Sequence, residues 1–399
     1  MVSKLKILQA YFQAKRRMQW SRKKIDLWHQ KKIKQKIAYA KKHSPFYETL
    51  YGVETDFANL PIISKEEMMR SFAYFNVAGI TKEDAIDVAK EGEADKTFDS
   101  TIGRLTVGLS SGTSGTRGIF LATPDEMAFW CGNILAKTLP KSIFKRQKVA
   151  LFLRANSNLY ETVSSFRYFD LEGRGEGLEA FAPDVLVAPP SKLLTLPPLR
   201  LKKVIAVAEV LEQCDRKAIE KRFGFRVHQI YQCTEGFLGS TCSHGMLHLN
   251  EDIVHFEKEY IDQKSGRFVP ILTDLFRKTQ PMIRYRLDDV LIEGRCSCGS
   301  NFMAVKAVEG RLRDTLYFKD KDGKKVAVFA SEIGGLFQHD YVVRQTSIDE
   351  LHVHGDRGNL PDFFAMKGLP LPTIHFHKKL PLRSPEVKLR RVIQEYFIG

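Results

Sequence analysis

A nine-residue stretch in the first third of the chain reads Ser110-Ser111-Gly112-Thr113-Ser114-Gly115-Thr116-Arg117-Gly118. Its hydroxyl and backbone N–H groups can donate hydrogen bonds to anionic oxygens, and its glycines allow the backbone to approach a ligand closely. Arg117 adds a guanidinium suited to phosphate. Alternating apolar residues precede the stretch, and a helix-like run follows it from Asp125. This position between a strand and a helix favours a phosphate-binding loop over a flexible Ser/Gly linker.

The spacing of this loop excludes two common nucleotide loops. No Gly-Lys-Ser/Thr follows four residues after a glycine, so it is not a Walker loop. The glycines are three apart, which does not match the dinucleotide-binding fingerprint. The stretch instead resembles the Ser/Thr-Gly-Thr-Ser/Thr-Gly signature of adenylate-forming enzymes, the superfamily of acyl-CoA synthetases and luciferases. The resemblance implies that this loop holds the β- and γ-phosphates of ATP, with Arg117 in place of the usual lysine. The implied nucleotide-binding residues in it are Ser110, Ser111, Gly112, Thr113, Ser114 and Gly115.

The basic excess of the chain belongs to its N-terminal end. Residues 1–43 hold fourteen Lys or Arg and one acid, whereas the whole 399-residue chain has a net charge of +15. In the remainder the positive and negative charges nearly balance. This charge excludes a nucleic-acid-binding domain there. Six cysteines are too few for a disulfide scaffold of this length, and no apolar run or leader suggests a membrane span or signal peptide. A reducing cytoplasm fits best.

Residues 3–43 contain no Pro or Gly and carry apolar residues at helical spacing, which predicts one basic helix. Its basic face fits a solvated surface of a packed helix. It also fits an amphipathic helix on an anionic membrane surface, peripheral to the inner membrane face. Nucleic-acid contact is the weakest interpretation because the segment matches no known module. After it, Ser64 and Glu67 form a predicted capping box.

Strands and helices alternate from residue 119 to 230, which predicts an α/β sheet with helices on both faces. The predicted strands include Val149–Leu153, Val185–Ala188, Val204–Val207 and Val227–Tyr231, with a helix at Leu211–Phe223. Ligands of such sheets bind beyond the carboxyl ends of the strands. Glu209 and Glu235 follow two of these ends.

Further motifs in chain order strengthen the superfamily resemblance. The Ser-Pro-Phe-Tyr piece from Ser44 and the Leu-Pro-Ile-Ile-Ser-Lys piece from Leu60 resemble the start of phenylacetate-CoA ligases. Tyr231-Gln232-Cys233-Thr234-Glu235 resembles Tyr-Gly-x-Thr-Glu. The resemblance implies that Tyr231 lies near adenine, that Thr234 contacts the α-phosphate and that Glu235 holds Mg²⁺, a hard cation for which a carboxylate oxygen is apt. Ala208-Glu209 matches a stretch that lines adenine in relatives.

Three later motifs complete the resemblance. The run from Pro281 to Val290 matches Pro-x-Ile-Arg-Tyr-Arg-Thr-Gly-Asp, so Asp289 is implied to hold the ribose hydroxyls, with Asp288 replacing glycine. Glu309–Asp314 resembles the Gly-Arg-x-x-Asp hinge, in which Arg311 would face ribose or phosphate. Lys388 matches the lysine that relatives deliver to the carboxylate and α-phosphate, although Glu386-Val387 replaces the usual Ser-Gly.

Four soft ligands suggest a second metal site. Cys242, His248, Cys296 and Cys298 can supply three thiolates and an imidazole, the ligands of a closed tetrahedral zinc site. The spacing alone also fits free cysteines and a surface histidine, with His244 as a spare candidate. Similar residues in some phenylacetate-ligase relatives favour a structural Zn²⁺.

The chain therefore resembles an adenylate-forming enzyme of the branch that contains phenylacetate-CoA ligase and a deazaflavin-coenzyme adenylyl transferase. The expected fold is a large α/β domain of mixed sheets flanked by helices, at 44–310, followed by a small mobile α+β lid at 311–399. The implied reaction joins a small carboxylic acid, aryl or fatty, to AMP from ATP with Mg²⁺ and then to the thiol of CoA or a phosphopantetheine carrier protein. The alternatives are AMP transfer to a phenolic hydroxyl and a non-catalytic nucleotide-binding scaffold.

The acid itself is poorly defined by the sequence. Residues near predicted strand ends suggest an apolar substrate pocket, although they fit a core equally well; they are Trp130, Cys131, Phe152, Arg154, Tyr160 and Phe166.

Overall fold

The computed structural model describes residues 2–94, 100–110, 117–153, 165–173, 175–381 and 389–396. The helices in this part of the chain are α1 (Lys4–Arg17), α2 (Arg22–His43), α3 (Pro45–Tyr51), α4 (Lys65–Arg70), α5 (Phe72–Phe75), α6 (Lys82–Ala94), α7 (Pro124–Thr138), α8 (Leu178–Phe181), α9 (Pro190–Leu193), α10 (Gln213–Phe223), α11 (Ala330–Gly334) and α12 (Leu360–Lys367), with 3-10 turns at Phe57–Asn59 and Leu312–Asp314.

The strands in the same ranges are β1 (Thr101–Ile102), β2 (Leu105–Leu109), β3 (Ile119–Ala122), β4 (Val149–Leu153), β5 (Phe166–Asp170), β6 (Val185–Ala188), β7 (Lys203–Ala206), β8 (Val227–Cys233), β9 (Gly236–Thr241), β10 (Leu247–Leu249), β11 (Val254–Asp262), β12 (Arg267–Asp274), β13 (Tyr285–Arg286), β14 (Asp289–Glu293), β15 (Ala304–Arg311), β16 (Leu316–Lys319), β17 (Lys325–Val328), β18 (Tyr341–Ser347), β19 (Glu350–Gly355), β20 (Thr373–His377) and β21 (Val392–Gln394).

The N-terminal segment forms two helices, so the prediction of a single helix over residues 3–43 is wrong. The chain leaves α1 after Arg17, whose buried guanidinium is 3.2 Å from the Asp252 carboxylate. The apolar side of α1 packs on α7. A side chain at Gly132 of α7 would place its Cβ 2.5 Å from the carbonyl oxygen of Ile7, so glycine permits this close approach. The apolar side of α1 is therefore buried against α7. Contact of the N-terminal segment with a membrane stays a prediction. No helix in the described ranges is both long and apolar enough to cross a bilayer.

The large sheet is mixed, as the fold prediction required. Its order is β11-β12-β14-β15-β10-β9-β8-β7-β6-β4-β5, with β13 beside β12. The block from β5 to β8 is parallel, and β9 begins an antiparallel block. Successive residues of β4 enter two different cores, because Val149 and Leu151 face one side while Ala150 and Phe152 face the other. Both faces of the parallel block are therefore buried, as expected for an α/β sheet.

The segment before α4 is tied to the antiparallel block. Ile63 forms a parallel bridge with Tyr285, and its backbone exchanges hydrogen bonds of 2.9 Å with Arg284 and Arg286. The predicted capping box then starts α4, since the side chains of Ser64 and Glu67 each accept a hydrogen bond from the other's backbone N–H. These contacts bring the N-terminus of α4 to the sheet more than two hundred residues later in the chain.

The C-terminal part has its own hydrophobic core and two small sheets, β16-β17 and β20-β19-β18-β21. This agrees with a small α+β unit, while its exact boundary and its mobility stay predictions. The residue pattern from Pro385 to Tyr396 predicts a helix, and this prediction is wrong where the structure describes the segment. Val392–Gln394 is strand β21, which pairs parallel with β18 and buries Val392 in the core. Backbone hydrogen bonds to β18 thus stabilise a strand where the local residue pattern favours a helix.

Candidate active site

The Glu235 carboxylate lies just beyond the carboxyl end of β8 and is buried. Tyr285 donates a hydrogen bond of 3.1 Å to one oxygen, and the Thr234 hydroxyl donates one of 2.9 Å to the other. The turn is held from behind by Arg277, which donates to the Thr234 carbonyl at 2.8 Å. Burial, followed by the charge of Glu235, raises the pKa of the Tyr285 phenol. The structure thus presents a carboxylate of fixed orientation at the predicted position.

The base of the predicted phosphate loop lies against this turn. The Ser110 N–H donates to the Gly118 carbonyl, and the Ser110 hydroxyl accepts from the Gly118 N–H, both at 2.7 Å. A Cβ at Gly118 would lie 3.4 Å from the Thr234 hydroxyl oxygen and 3.3 Å from Cε of Lys65. Glycine therefore lets three segments meet here. The loop residues themselves lie outside the described residues; they are Ser111, Gly112, Thr113, Ser114, Gly115 and Thr116.

Arg117 is held at the base of this loop. Its Nε donates to the Ser110 carbonyl at 2.8 Å, and its two terminal nitrogens form a bidentate pair with Glu93 of α6. The guanidinium therefore braces the loop in this structure. A phosphate contact by Arg117 stays a prediction and would compete with the Glu93 pair.

Tyr231, Asp289 and Arg311 come together on three strands. The Tyr231 hydroxyl donates to the Asp289 carboxylate at 2.7 Å, and burial and the Asp289 charge raise the pKa of that phenol. Asp289 and Arg311 are paired residues of β14 and β15. Nη1 of Arg311 is buried and has no hydrogen-bond partner among the described residues. A buried donor without an acceptor fits a site for an anionic or hydroxyl-bearing ligand.

Lys65 also lies beside the Glu235 turn, and the sequence motifs did not identify it as a candidate site residue. Partial burial lowers its pKa, the nearby charges of Arg311 and Arg313 lower it further, and the charge of Glu235 opposes this shift. The Lys65 ammonium is thus part of the same charge cluster. Its signal in the sequence is the Leu-Pro-Ile-Ile-Ser-Lys piece from Leu60, which ends in Lys65.

Glu209 lies after β7, in a turn with backbone strain. Ala208 has a φ of 70°, an unfavourable left-handed conformation for alanine. The Glu209 carboxylate accepts hydrogen bonds from the N–H and hydroxyl of Ser191, at 3.1 and 3.0 Å. It also accepts one of 3.4 Å from the Leu389 N–H. The predicted Lys388 lies outside the described residues, but its neighbour Leu389 reaches the carboxyl ends of the parallel strands.

Two departures from the superfamily pattern have local explanations. Gln232 replaces a glycine, yet among the described non-glycine residues only Ala182, Ala208 and Arg284 have positive φ, so no glycine is required at 232. Asp288 replaces another glycine and forms an ion pair with Arg313, 3.3 Å from its Nε. This pair links the β14 turn to the hinge motif.

The residues suggested for the acid pocket are not brought together. Cys131 and Phe152 are buried in two different cores, and Phe166 packs against one of them, so these three are core residues. Arg154 and Tyr160 lie outside the described residues. Trp130 lines a cavity of about 520 Å³ with Phe129, Phe276, Tyr39 and others. Apart from Trp130, that cavity touches no residue predicted for substrate or nucleotide.

The four predicted zinc ligands do converge. Cys242 follows β9, His248 lies in β10, and Cys296 and Cys298 lie in the turn before β15; this set is called the cysteine cluster below. Its four ligand atoms all lie within 4.8 Å of one another, with Sγ–Sγ 3.7 Å between Cys242 and Cys296. Nε2 of His248 is 3.4 Å from Sγ of Cys298. Nδ1 of His248 is 2.9 Å from the Phe302 carbonyl, which fixes the tautomer and directs the Nε2 lone pair at the thiols.

Sequence comparison and structure comparison give different outcomes. No protein-family model matches the chain, and no curated protein matches it in sequence. Among solved structures, a 2-hydroxyisobutyryl-CoA ligase in the postadenylation state, in complex with 2-HIB-AMP, matches with a TM-score of 0.71 at 16% identity. The match covers 95% of this chain and 91% of that one.

The same ligase in two other states is less similar. In complex with 2-HIB-AMP and CoA in the thioesterification state it gives a TM-score of 0.58 at 17% identity, again covering 95% of this chain and 91% of that one. Its open conformation gives 0.57 at 18% identity, with 91% and 90% covered. The chain therefore has, over nearly its whole length, the fold of these adenylate-forming CoA ligases. At these identities the likeness defines the fold alone.

Proposed function

We propose that the protein activates a small carboxylic acid with ATP and passes the acyl group to a thiol. The observation that supports this most is the convergence of five segments beyond the sheet. They are the base of the Ser110–Gly118 loop, the Thr234-Glu235 turn, Asp289 with Tyr231, Arg311, and Lys65 at the start of α4. Each segment contributes a hydroxyl, a carboxylate or a cation of the kind that a nucleoside triphosphate requires. The shared fold with CoA ligases captured with an acyl-AMP adds independent support.

The chemistry is a substitution at phosphorus followed by acyl transfer. An oxygen of the substrate carboxylate attacks the α-phosphorus of ATP, the bond to the β-phosphate oxygen breaks, and pyrophosphate leaves. Arg311 and Lys65 place positive charge beside the phosphates as negative charge shifts to the leaving group, and Thr234 orients the α-phosphate. The thiol of CoA or of a phosphopantetheine carrier then attacks the acyl carbonyl, and AMP leaves.

The residues present fit a magnesium ion. Glu235 offers a buried carboxylate whose orientation is fixed by two hydroxyls, and Mg²⁺ prefers a carboxylate together with phosphate oxygens. Bound there, Mg²⁺ would neutralise charge on the phosphates. The chain's contribution is to hold Glu235 in place through Tyr285 and Thr234.

We infer that the segment from the hinge to the C-terminus moves between the two steps. Asp314 of the hinge motif is buried and paired with Arg390, two residues after the predicted Lys388. Arg391 forms ion pairs with Asp215 and Asp340, one from each domain. These contacts fit a lid that carries Lys388 toward the α-phosphate and later withdraws it.

Zinc in the cysteine cluster is a separate proposal. The Sγ–Sγ and Sγ–Nε2 separations match those of ligands that share a tetrahedral ion with Zn–S near 2.3 Å and Zn–N near 2.0 Å. Four protein ligands leave no open position, so the ion would stabilise the β9–β10 and β15 region without entering the reaction. Elemental analysis of protein purified without chelators should find about one zinc per chain; a metal-free preparation with unchanged stability would contradict it.

The test of the proposed function is pyrophosphate–ATP exchange across a panel of aryl and aliphatic carboxylic acids. Exchange that depends on an acid supports the ligase. Stable AMP conjugates of phenols would support adenylyl transfer, as in the deazaflavin-coenzyme enzyme of the phenylacetate-CoA ligase branch. ATP binding with neither product would support a nucleotide-binding scaffold.

A further inference from the structure

A second group of side chains of the types that bind metals lies on the C-terminal domain, outside the motifs described above. Strands β19 and β20 run parallel, with His352 opposite His375 and His354 opposite His377. Glu350 precedes His352 by two residues and therefore lies on the same face of β19. These five residues are called the histidine patch.

The histidine patch is on the outer face of its sheet. Leu351 and Val353, which alternate with the patch residues along β19, are buried in the domain core. The side chains of Glu350, His352 and His375 remain 37%, 30% and 46% exposed. Solvent ions can therefore reach them. Packing does not explain why four imidazoles stand on one face of two strands.

Three ligand atoms of the patch meet at one point. Oε1 of Glu350 is 3.0 Å from Nε2 of His375 and 3.6 Å from Nε2 of His352, and the three atoms lie within 4.8 Å of one another. Ligands about 2.0–2.2 Å from a shared tetrahedral ion are roughly 3.3–3.6 Å apart. Two of the three separations lie near this range and none exceeds 4.8 Å, so rotation of these partly exposed side chains can bring all three to bonding distance of one ion.

A further contact, to His377, bears on the tautomer of His352. Its Nδ1 is 3.0 Å from Nε2 of His377, and the rings of His352 and His377 are stacked. If His352 donates its Nδ1–H to His377, its Nε2 lone pair faces the Glu350 carboxylate. The Nε2 lone pair of His352 and the Glu350 carboxylate would then repel each other, and a cation bound between them would remove this repulsion. A partner on the second nitrogen is the usual arrangement for a metal-bound histidine.

The surrounding charge permits a cation at this point. Arg344 of β18 is paired with His352 across the strands and is the nearest cationic neighbour in the register. Its guanidinium is engaged by Glu395, which follows β21. Arg344 therefore does not neutralise the negative charge of the Glu350 carboxylate.

We infer that Glu350, His352 and His375 form a binding site for a divalent transition-metal ion such as Zn²⁺. Two imidazoles and one carboxylate suit this class of ion, and three protein ligands leave a position open to water or to a further ligand. The ion would join β19 to β20, which is the edge strand of the sheet. The site lies in a different domain from the cysteine cluster and has no thiolate.

Cobalt(II) titration of the full-length protein tests this site. We expect one binding equivalent whose visible spectrum lacks the thiolate-to-cobalt charge-transfer band, because only oxygen and nitrogen coordinate the ion. His375→Gln should weaken that equivalent on the order of 10–100-fold, and Glu350→Gln should also weaken it. His339→Gln is the matched control, since His339 is an exposed histidine of the same domain whose ring faces Asp356.

Metal bound by the cysteine cluster does not affect this comparison of variants. Any metal held by thiolates carries its own charge-transfer band and is unchanged by His375→Gln. Unchanged folding, checked by circular dichroism, makes a binding loss interpretable. The inference is overturned if the wild-type protein takes up no thiolate-free cobalt. It is also overturned if His375→Gln and Glu350→Gln bind cobalt as tightly as His339→Gln does.

Discussion

The site around Glu235 and the cysteine cluster are built differently although each joins distant parts of the chain. In the cysteine cluster four soft ligand atoms lie within 4.8 Å of one another, and the histidine tautomer is fixed by a carbonyl. The Glu235 site gathers hard oxygens and cations, and it holds a buried Arg311 nitrogen without a partner among the described residues. One bound ion would engage all four ligands of the cysteine cluster. The cations and hydroxyls around Glu235 fit a larger anionic ligand. The two regions should therefore respond differently to mutation.

The largest effect should follow Glu235→Gln. Loss of the carboxylate charge removes the proposed magnesium ligand while the amide keeps the size of the side chain. We expect acid-dependent pyrophosphate exchange to fall on the order of 10²–10³-fold, the usual cost of losing one preorganised electrostatic contact to a transition state. Thermal unfolding should change little.

Glu66→Gln is the matched control, because Glu66 is an exposed acid on the neighbouring α4. Its exchange rate should stay near that of the wild type. Equal rates for Glu235→Gln and Glu66→Gln would remove Glu235 from the mechanism.

The next largest effect should be on stability, from Cys298→Ser. Loss of one ligand should release the proposed zinc and lower the melting temperature by several degrees, since each kcal/mol corresponds to about 2–4 °C in domains of this order of size. The exchange rate per folded molecule should persist at low temperature. Cys214→Ser, at a cysteine outside the cluster, should keep both metal and melting temperature. A reversed pattern would mean that the cluster takes part in catalysis.

A smaller, selective effect is expected from Asp289→Asn. Hydrogen bonds to a charged group contribute about 1.5–3 kcal/mol, so weaker ribose binding should raise KM for ATP about tenfold or more with little change in kcat. Asp288→Asn is the matched control, because Asp288 pairs with Arg313 and not with Tyr231. If both variants raise KM for ATP equally, the assignment of the ribose to Asp289 is wrong.

The smallest effect near neutral pH concerns His228. Burial, together with the charges of Lys203, Arg226 and Arg216, lowers its pKa to about 4. The unfolded chain then binds the extra proton first as pH falls below about 6.5, so stability is full above that pH and is lost toward pH 4. Between pH 7 and 6 the loss should be roughly 0.7 kcal/mol for this one group.

Urea unfolding across this pH window measures the slope. His228→Gln should flatten it, whereas His244→Gln, at an exposed histidine, should leave it unchanged. An unchanged or steeper slope for His228→Gln would contradict the depressed pKa.

Local patterns predicted much of the parallel block. The strand Val149–Leu153 is contiguous and apolar, because both faces of the block are buried, and its bounds match the prediction. The Ser64–Glu67 capping box also formed where its sequence signal placed it. These features depend on neighbours within a few residues, and a single sequence contains that information.

Features that depend on distant partners were missed. No glycine or proline marks the end of α1, whose last residue Arg17 is buried against Asp252. Val392–Gln394 is a strand only because β18 provides its partner. Lys65 joins the site only because Ile63 pairs with the segment around Tyr285. A pattern of neighbouring residues carries no information about such pairings.

The central claim is that separate segments converge on one ATP molecule beyond the carboxyl ends of the sheet. A crystal structure with Mg²⁺ and a non-hydrolysable ATP analogue tests it most directly. We expect the ribose hydroxyls on Asp289, a metal on Glu235 and the phosphates beside Thr234 and Lys65. A nucleotide bound instead in the cavity lined by Tyr39 and Trp130, with Glu235 untouched, would contradict it.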